Sequence, residues 1–178
     1  MKTMKVFFPR TRLTQMIARP GGLTCDAAVA KAQEDIEALR GPGEDAIDQS
    51  ISAIEVAAYG ARRRTLSGEQ MADILLHADR VFTLAGTFGF QSLQTAARSL
   101  CDIAEGFIEG RRHESEPVAV HAQALRLLSP KAKPLSPENV DKVLAELARL
   151  LDHFEIAPLA EDAEAGEPAP EAAAPQGK

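Results

Sequence analysis

The sequence predicts an all-α fold, and three observations support that prediction. Ala and Leu dominate a chain of 178 residues in which 45% of residues are hydrophobic, Trp is absent and Tyr occurs once. Because clusters of β-branched residues are also scarce, helical propensity is high and strand propensity is low. Capping and stop signals for helices recur between apolar residues at helical spacing. A chain of this length has room for one domain with a hydrophobic core.

Two helices are predicted before residue 65. The first should begin after Thr24 and end at the Gly-Pro-Gly segment 41–43, because such residues stop helices. Its apolar residues at helical spacing are Val29, Ile36 and Leu39. The second should extend from about Asp45 to Arg64, where three consecutive arginines suit the negative end of the helix macrodipole. Its predicted buried residues are Ile47, Ile51, Ile54, Val56 and Ala58.

A third helix begins at a capping box. The side chains of Ser67 and Gln70 have the spacing at which each satisfies a backbone N–H group of the first turn. Gly86 and Gly89 are expected to end this helix. Its apolar stripe, within about 60° of Ala78 on the helical wheel, consists of Met71, Ile74, Leu75, Ala78, Val81, Phe82 and Ala85.

Three further helices are predicted. The fourth should run from about Gln91 to Glu109, and its expected core residues are Leu93, Ala97, Leu100, Ile103 and Phe107. The fifth should run from about Pro117 to Leu128, with Val118, Val120, Ala124 and Leu127 buried. Ser136 has the position of an N-cap and Pro137 that of the first helical residue in a last helix, which should reach Phe154.

Charge divides the chain into three parts. Residues 1–22 form a basic arm of net charge +5, residues 23–156 form the predicted helical domain, and residues 157–178 form an acidic tail of net charge −4. The tail is rich in Ala, Pro and Glu and is expected to be disordered, since it has little apolar surface to bury. The arm either folds back on the acidic body or contacts an acidic partner or membrane surface. The acidic body argues against nucleic-acid binding.

The sequence contains no pattern typical of a membrane span, a metal site or a cofactor site. Cys25 and Cys101 lie far apart on predicted helices, and without a secretory signal both are expected to be buried thiols. The expected compartment is therefore the cytoplasm. The oligomeric state is not predicted by any of these features.

Residues 78–101 carry the most informative pattern. The motif Gly-Thr-Phe-Gly-Phe at 86–90 and Ser-Leu-Cys at 99–101 resemble the histidine phosphotransfer domains of bacterial two-component systems. In that family, His-x-x-Lys/Arg-Gly precedes the glycine-rich segment. Counting back from the matched motifs puts Asp79 at the histidine, Phe82 at the Lys/Arg and Thr83 at the glycine. The resemblance implies an antiparallel helical bundle, with a four-helix core and additional terminal helices.

The three changed residues argue against an enzyme. Phosphoryl transfer requires an exposed imidazole as nucleophile and a cation for the phosphoryl oxygens. The Asp79 carboxylate repels a phosphoryl group, and Phe82 cannot neutralise one. Thr83 adds bulk where the glycine of the family lets the receiver backbone approach closely. The resemblance therefore implies a non-catalytic phosphotransfer protein that binds a response-regulator receiver or histidine kinase domain and modulates a phosphorelay. The alternatives are an active phosphotransferase that uses another histidine, and a helical scaffold that kept only the fold.

The expected partner-binding face lies on the third helix, outside its apolar stripe. On the helical wheel it consists of Ala72, Leu76, Asp79, Arg80, Thr83 and Gly86. This mostly small or apolar face is either a contact site or is covered by another helix. His77 and His121 are the fallback phosphoacceptors. His77 should flank the stripe opposite Asp79 and be partly buried, and His121 lies where the family often has a histidine that is not phosphorylated.

Overall fold

The fold was derived from a computed structural model, which describes residues 24–60 and 65–156. These residues form six helices: α1 (Cys25–Ala38), α2 (Arg40–Gly60), α3 (Gly68–Phe88), α4 (Gln91–Gly110), α5 (Glu116–Leu128) and α6 (Pro137–His153). The all-α prediction is confirmed. The predicted basic arm, the acidic tail and the three arginines at 62–64 lie outside the described residues.

The chain divides into two units, residues 1–42 and residues 43–178. Helix α1 belongs to the first unit and begins at Thr24, whose side chain accepts a hydrogen bond of 3.3 Å from the Ala27 N–H group. None of its residues is buried. Cys25 is therefore exposed, and the expectation that both cysteines are buried holds only for Cys101.

Helix α1 ends close to the predicted position, but the Gly-Pro-Gly segment 41–43 is not what ends it. Helix α2 begins at Arg40, so the Gly-Pro-Gly segment 41–43 lies inside its first turn. Pro42 is tolerated there because the first N–H groups of a helix have no intrahelical partner. The second helix consequently starts about five residues earlier than predicted.

Helices α2 to α5 form the predicted four-helix core, and they alternate in direction. The start of α2 meets the end of α3, where a Cβ atom added to Gly43 would lie 2.1 Å from Phe88 Cε2. Helices α3 and α4 are joined by a turn of two residues, Gly89 and Phe90. Gly89 has a φ of 78°, the left-handed conformation that ends helices and that only glycine adopts without strain. Helix α5 then packs against α4.

Arg126 joins α5 to α2 and so closes the core. Its guanidinium donates hydrogen bonds to the two carboxylate oxygens of Glu55, at 3.1 and 2.6 Å. It also donates to Ser52 Oγ at 2.8 Å and forms an ion pair with Asp48. These partners, Glu55 first, raise the pKa of Arg126. The acidic side of α2 is therefore turned toward α5.

The hydrophobic core contains most of the predicted residues. Among those with no exposed surface are Ile47, Ile51, Ile54, Ala78, Val81, Ala85, Ala97, Leu100, Ile103, Phe107 and Val118. Three predictions of burial are wrong: Val56 is 75% exposed, Val120 38% and Leu127 49%. Each follows a buried residue by two positions, and two steps of about 100° turn a side chain away from the core.

The capping box of α3 is confirmed. Gln70 N–H donates to Ser67 Oγ at 3.1 Å, and Ser67 N–H donates to the Gln70 side chain at 2.9 Å. Gly86 does not end this helix, which continues to Phe88. Instead Gly86 faces α4, where an added Cβ atom would lie 2.6 Å from Gln94 Nε2. A residue with a Cβ atom at this position would have to displace the end of the Gln94 side chain.

Helix α6 lies outside the four-helix core and packs on α4 and α5. Ser136 and Pro137 occupy the predicted N-cap and first positions. Of the residues in α6 only Leu147 is fully buried. At its end the ring of Phe154 meets Phe107 of α4 edge to face, with 5.1 Å between ring centroids. Among the described helices, none is both long enough and apolar enough to cross a membrane.

Candidate partner-binding site

The outer face of α3 is open to solvent. Ala72, Leu76, Asp79, Arg80 and Thr83 are exposed, and Gly86 is half-buried against α4. Leu76 is 66% exposed. These side chains share one helical face because the buried stripe of α3, centred on Ala78, takes the opposite side. Five of the six predicted residues are therefore exposed on this side of α3, and Gly86 lies at its edge against α4.

Asp79 and His77 lie at opposite edges of this surface. A shallow depression runs across the outer side of α3 and is lined by Leu76, His77, Asp79, Arg80, Thr83 and Leu84. His77 is half-buried on the side of α2, while Asp79 is exposed on the side of α4. A partner that spans the whole depression would touch both residues, whereas one centred on Asp79 would touch only the carboxylate.

The buried Cys101 thiol of α4 lies near Asp79. Burial raises the pKa of the Cys101 thiol on α4 to about 12. Nearby carboxylates contribute to this rise, namely those of Asp79, Asp102 and Glu105. The thiol therefore stays protonated at neutral pH and cannot act as a nucleophile. The Cys101 thiol therefore adds no reactive group beside Asp79.

Phe82 contributes to a cleft instead of to the exposed face. Its half-buried ring lies 5.7 Å from the guanidinium carbon of Arg98, a cation–π arrangement. Arg98 also pairs with the buried carboxylate of Asp102 at 3.4 Å. Leu144 and Leu147 of α6 complete a cleft of about 370 Å³. The cation nearest to Phe82 is therefore Arg98 of α4, and this guanidinium is already paired with Asp102.

Arg98 and Asp102 were missed by the sequence reasoning. Their spacing of four residues is typical of an ion pair on a helix, and this signal was available. The burial of Asp102 could not be predicted from the sequence, because the side chain is covered by α6. The stretch of α4 around Asp102 is otherwise apolar. Only the tertiary arrangement reveals that this pair borders a cleft.

His121 is a buried core residue with both ring nitrogens engaged. Its Nδ1 lies 2.8 Å from the Pro117 carbonyl oxygen, and its Nε2 lies 2.9 Å from Ser99 Oγ. A carbonyl oxygen only accepts, so Nδ1 carries the proton and Nε2 accepts from the serine hydroxyl. Burial lowers the pKa of His121 to about 4, against the opposing effect of the Pro117 carbonyl. The imidazole is neutral, and it has no exposed surface for a phosphoryl donor to reach.

No group of three or more His, Cys, Asp or Glu side chains among the described residues is arranged to hold a metal ion. No model of a known protein family matches the chain, and no curated protein matches it in sequence.

Proposed function

We propose that this chain is a degenerate phosphotransfer protein, which binds a receiver or histidine kinase domain and modulates a phosphorelay without carrying phosphate. The observation that supports it is the exposed face of α3, with Leu76 and Thr83 one turn either side of Asp79. The resemblance puts the missing phosphoacceptor at Asp79, on this same face. An exposed face of low charge suits a transient protein contact.

The side chains around Asp79 argue against phosphate transfer. Asp79 is exposed and acidic, so it repels a phosphorylated partner in the position where an imidazole would attack. Phe82 is half-buried beneath Arg98 and presents no cation to the surface. His121 has no exposed surface, and His77 on α3 is half-buried. Neither fallback histidine is an exposed imidazole of the kind that the transfer requires.

Binding without transfer provides a simple mode of regulation. A partner that docks on the α3 face has its phosphorylation site held against Asp79, where no phosphate can be exchanged. The bound fraction of that partner is withdrawn from the productive relay, in proportion to the concentration of this chain. The expected effect is competitive, and an excess of an active phosphotransfer protein should relieve it.

We expect the chain to accept no phosphate when it is incubated with a phosphorylated receiver domain. Asp79 and Phe82 have replaced the nucleophile and the cation that the transfer requires. Acid-labile phosphate on the chain is the quantity to measure, with a histidine-containing phosphotransfer domain as the positive control. Stoichiometric phosphohistidine would contradict the proposal. A His77→Ala variant would then identify whether the alternative, transfer through a non-standard histidine, is correct.

We expect Leu76→Glu to weaken receiver binding by about tenfold or more, because a buried charge at the centre of a small interface is costly. The side chain is 66% exposed, so the fold should be unaffected. Leu127→Glu is the matched control, because Leu127 is an exposed leucine on α5. Affinity is measured by titration calorimetry and helicity by circular dichroism. Equal affinities for both variants would place the contact elsewhere, and absence of binding by the unmodified chain would favour the scaffold alternative.

A further inference from the structure

The apolar side of α1 is open to solvent. None of the residues of this helix is buried, and Val29 is 51% exposed, Ile36 44% and Leu39, at the end of the helix, 60%. Together with Cys25 and Ala32, which are also exposed, these side chains lie within about 40° of one direction on the helical wheel. These five residues form the α1 stripe. A helix with such a stripe buries it against another element.

The spacing of the α1 stripe is that of a coiled coil. Its residues follow one another in alternating steps of four and three, and no charged residue interrupts them. In the heptad repeat, Val29 and Ile36 take the a positions, and Cys25, Ala32 and Leu39 take the d positions. β-Branched residues at a and leucine at d favour two parallel strands. The stripe therefore suits a single partner helix.

The residues that flank the stripe indicate a second copy of the chain as the partner. In a parallel pair, a g residue of one helix faces the e residue that lies five positions further along the other. Such pairs within the described part of the stripe are Ala28 with Gln33 and Asp35 with Arg40. Leu39 has a right-handed helical backbone, so the register extends to Arg40. Neither pair joins like charges, and the second joins opposite charges.

Both of these charged residues also have partners within their own chain. Lys31 donates a hydrogen bond to Asp35 at 2.9 Å, and Arg40 donates to both carboxylate oxygens of Glu37 at 2.7 and 3.0 Å. All four side chains are at least 36% exposed, and ion pairs this exposed contribute little on their own. A carboxylate and a guanidinium can each bind more than one partner. The ion pair between copies is therefore compatible with the pairs inside each chain.

We propose that α1 pairs with α1 of a second copy of the chain, as a parallel two-stranded coiled coil along the α1 stripe. The proposal does not rest on the proposed function, because α1 contributes no residue to the α3 face around Asp79. The stripe is only about two heptads long, so the dimer should dissociate readily, with a dissociation constant of about 10–300 μM. Dimerisation would then depend on the concentration of the chain.

Cys25 reports directly on the parallel arrangement. Equivalent d residues of two parallel strands face each other across the axis of the coiled coil, and Cys25 is exposed at such a position. Cys101 is buried. Mild oxidation of the full chain with diamide, which takes up two electrons and two protons from two thiols, should therefore join two copies through Cys25. Non-reducing gel electrophoresis measures the linked fraction.

The matched variant moves the thiol to the opposite side of α1 by combining Cys25→Ser with Glu34→Cys. Glu34 is exposed and takes an f position, which points away from the partner helix. The linked fraction should fall by at least about tenfold. Equal linking of the two proteins would mean that random collisions form the disulfide, and it would overturn the proposal.

Sedimentation equilibrium of the reduced chain, at up to about 300 μM, measures the association without a disulfide. Ile36→Glu puts a charge at an a position and should weaken the dimer by at least about tenfold. Ala30→Glu is the matched control, because it adds the same charge at an exposed position outside the stripe. It should leave the dissociation constant unchanged within about twofold.

A charge exchange tests the register. Arg40→Asp sets two acids against each other in each pair between the copies and should weaken the dimer, whereas adding Asp35→Arg to that variant should restore it. Failure of this restoration would overturn the parallel arrangement and the proposal with it.

Two further outcomes would overturn the proposal. One is a chain that stays monomeric at about 300 μM, and the other is a dimer that Ile36→Glu leaves intact, because another surface would then join the copies. None of these measurements involves a receiver domain, so this proposal and the proposed function fail separately.

Discussion

Lowering the pH from about 7 to about 4 should reduce the free energy of unfolding by roughly 3 kcal/mol through His121 alone. Burial lowers the pKa of this residue to about 4 in the folded chain, from 6.5 as its ordinary value. A difference of one pKa unit corresponds to about 1.4 kcal/mol. As the pH falls, the unfolded chain takes up a proton first, so folding is opposed. The stabilisation is complete above about pH 6.5 and is lost progressively down to about pH 4.

The geometry around His121 gives this effect its physical cause. Protonation of Nε2 would turn an acceptor into a donor opposite Ser99, and the new charge would lie in a site without exposed surface. Urea unfolding at a series of pH values measures the free energy. The His121→Phe variant should be less stable at pH 7, because Ser99 loses its partner, and its stability should vary less between pH 6.5 and 4.

The control is His113→Gln, which removes an exposed histidine from the segment between α4 and α5. It should retain the pH dependence of the unmodified chain. If His121→Phe and the unmodified chain lose stability equally between pH 6.5 and 4, then other groups cause the acid sensitivity. The pKa of His121 in the folded chain would then lie close to its ordinary value.

Local signals in the sequence were sufficient to locate most helices. The capping box at Ser67 and the proline at Pro137 are short-range interactions, so the sequence alone specifies the starts of α3 and α6. The Gly-Pro-Gly segment 41–43 gave a wrong start for α2, because the same residues that stop a helix also fit the first turn of the next one. As part of the first turn of α2, Gly43 lies close to Phe88, 45 positions away along the chain. Helical periodicity cannot predict such a contact.

The errors in burial have a different origin. The buried sides of α2 and α5 are narrow, and these helices carry Val56, Val120 and Leu127 outside them. The three residues were predicted to be buried from their hydrophobicity alone. The core side of α5 is set by Val118, Ala122 and Leu125, and α2 is oriented by Arg126. The ion pairs from Arg126 join residues more than seventy positions apart, as with Glu55 at a separation of 71. Helical periodicity contains no information about such contacts.

The candidate site was partly predictable for the same reason. Leu76, Asp79 and Thr83 share a face because they are spaced three and four residues apart, which periodicity specifies. A groove beside Val56 lies between the consecutive helices α2 and α3, whereas the cleft beside Phe82 lies between α3, α4 and the more distant α6. Their existence depends on how α2, α4 and α6 pack against α3 and on one another, and the sequence does not reveal it.

Replacing Phe107 by alanine should have the largest effect of any single truncation in the core, with a cost of about 3–5 kcal/mol. The ring has no exposed surface and contacts the bundle from the end of α4. Typical domains unfold with a free energy of about 5–15 kcal/mol, so this loss removes a large part of the total. For a chain of this size the melting temperature should fall by roughly 6–20 °C.

The matched variant is Phe154→Ala, which removes the ring that meets Phe107 edge to face from the end of α6. Phe154 is half-buried, so its truncation should cost only about 1–2 kcal/mol. Thermal and urea unfolding followed by circular dichroism compare the two variants. The loss of stability should be larger for Phe107→Ala, because Phe107 belongs to the four-helix core whereas α6 packs on the outside of that core. An equal or greater loss from Phe154→Ala would mean that α6 is integral to the folding unit, and that the core consists of five helices rather than four.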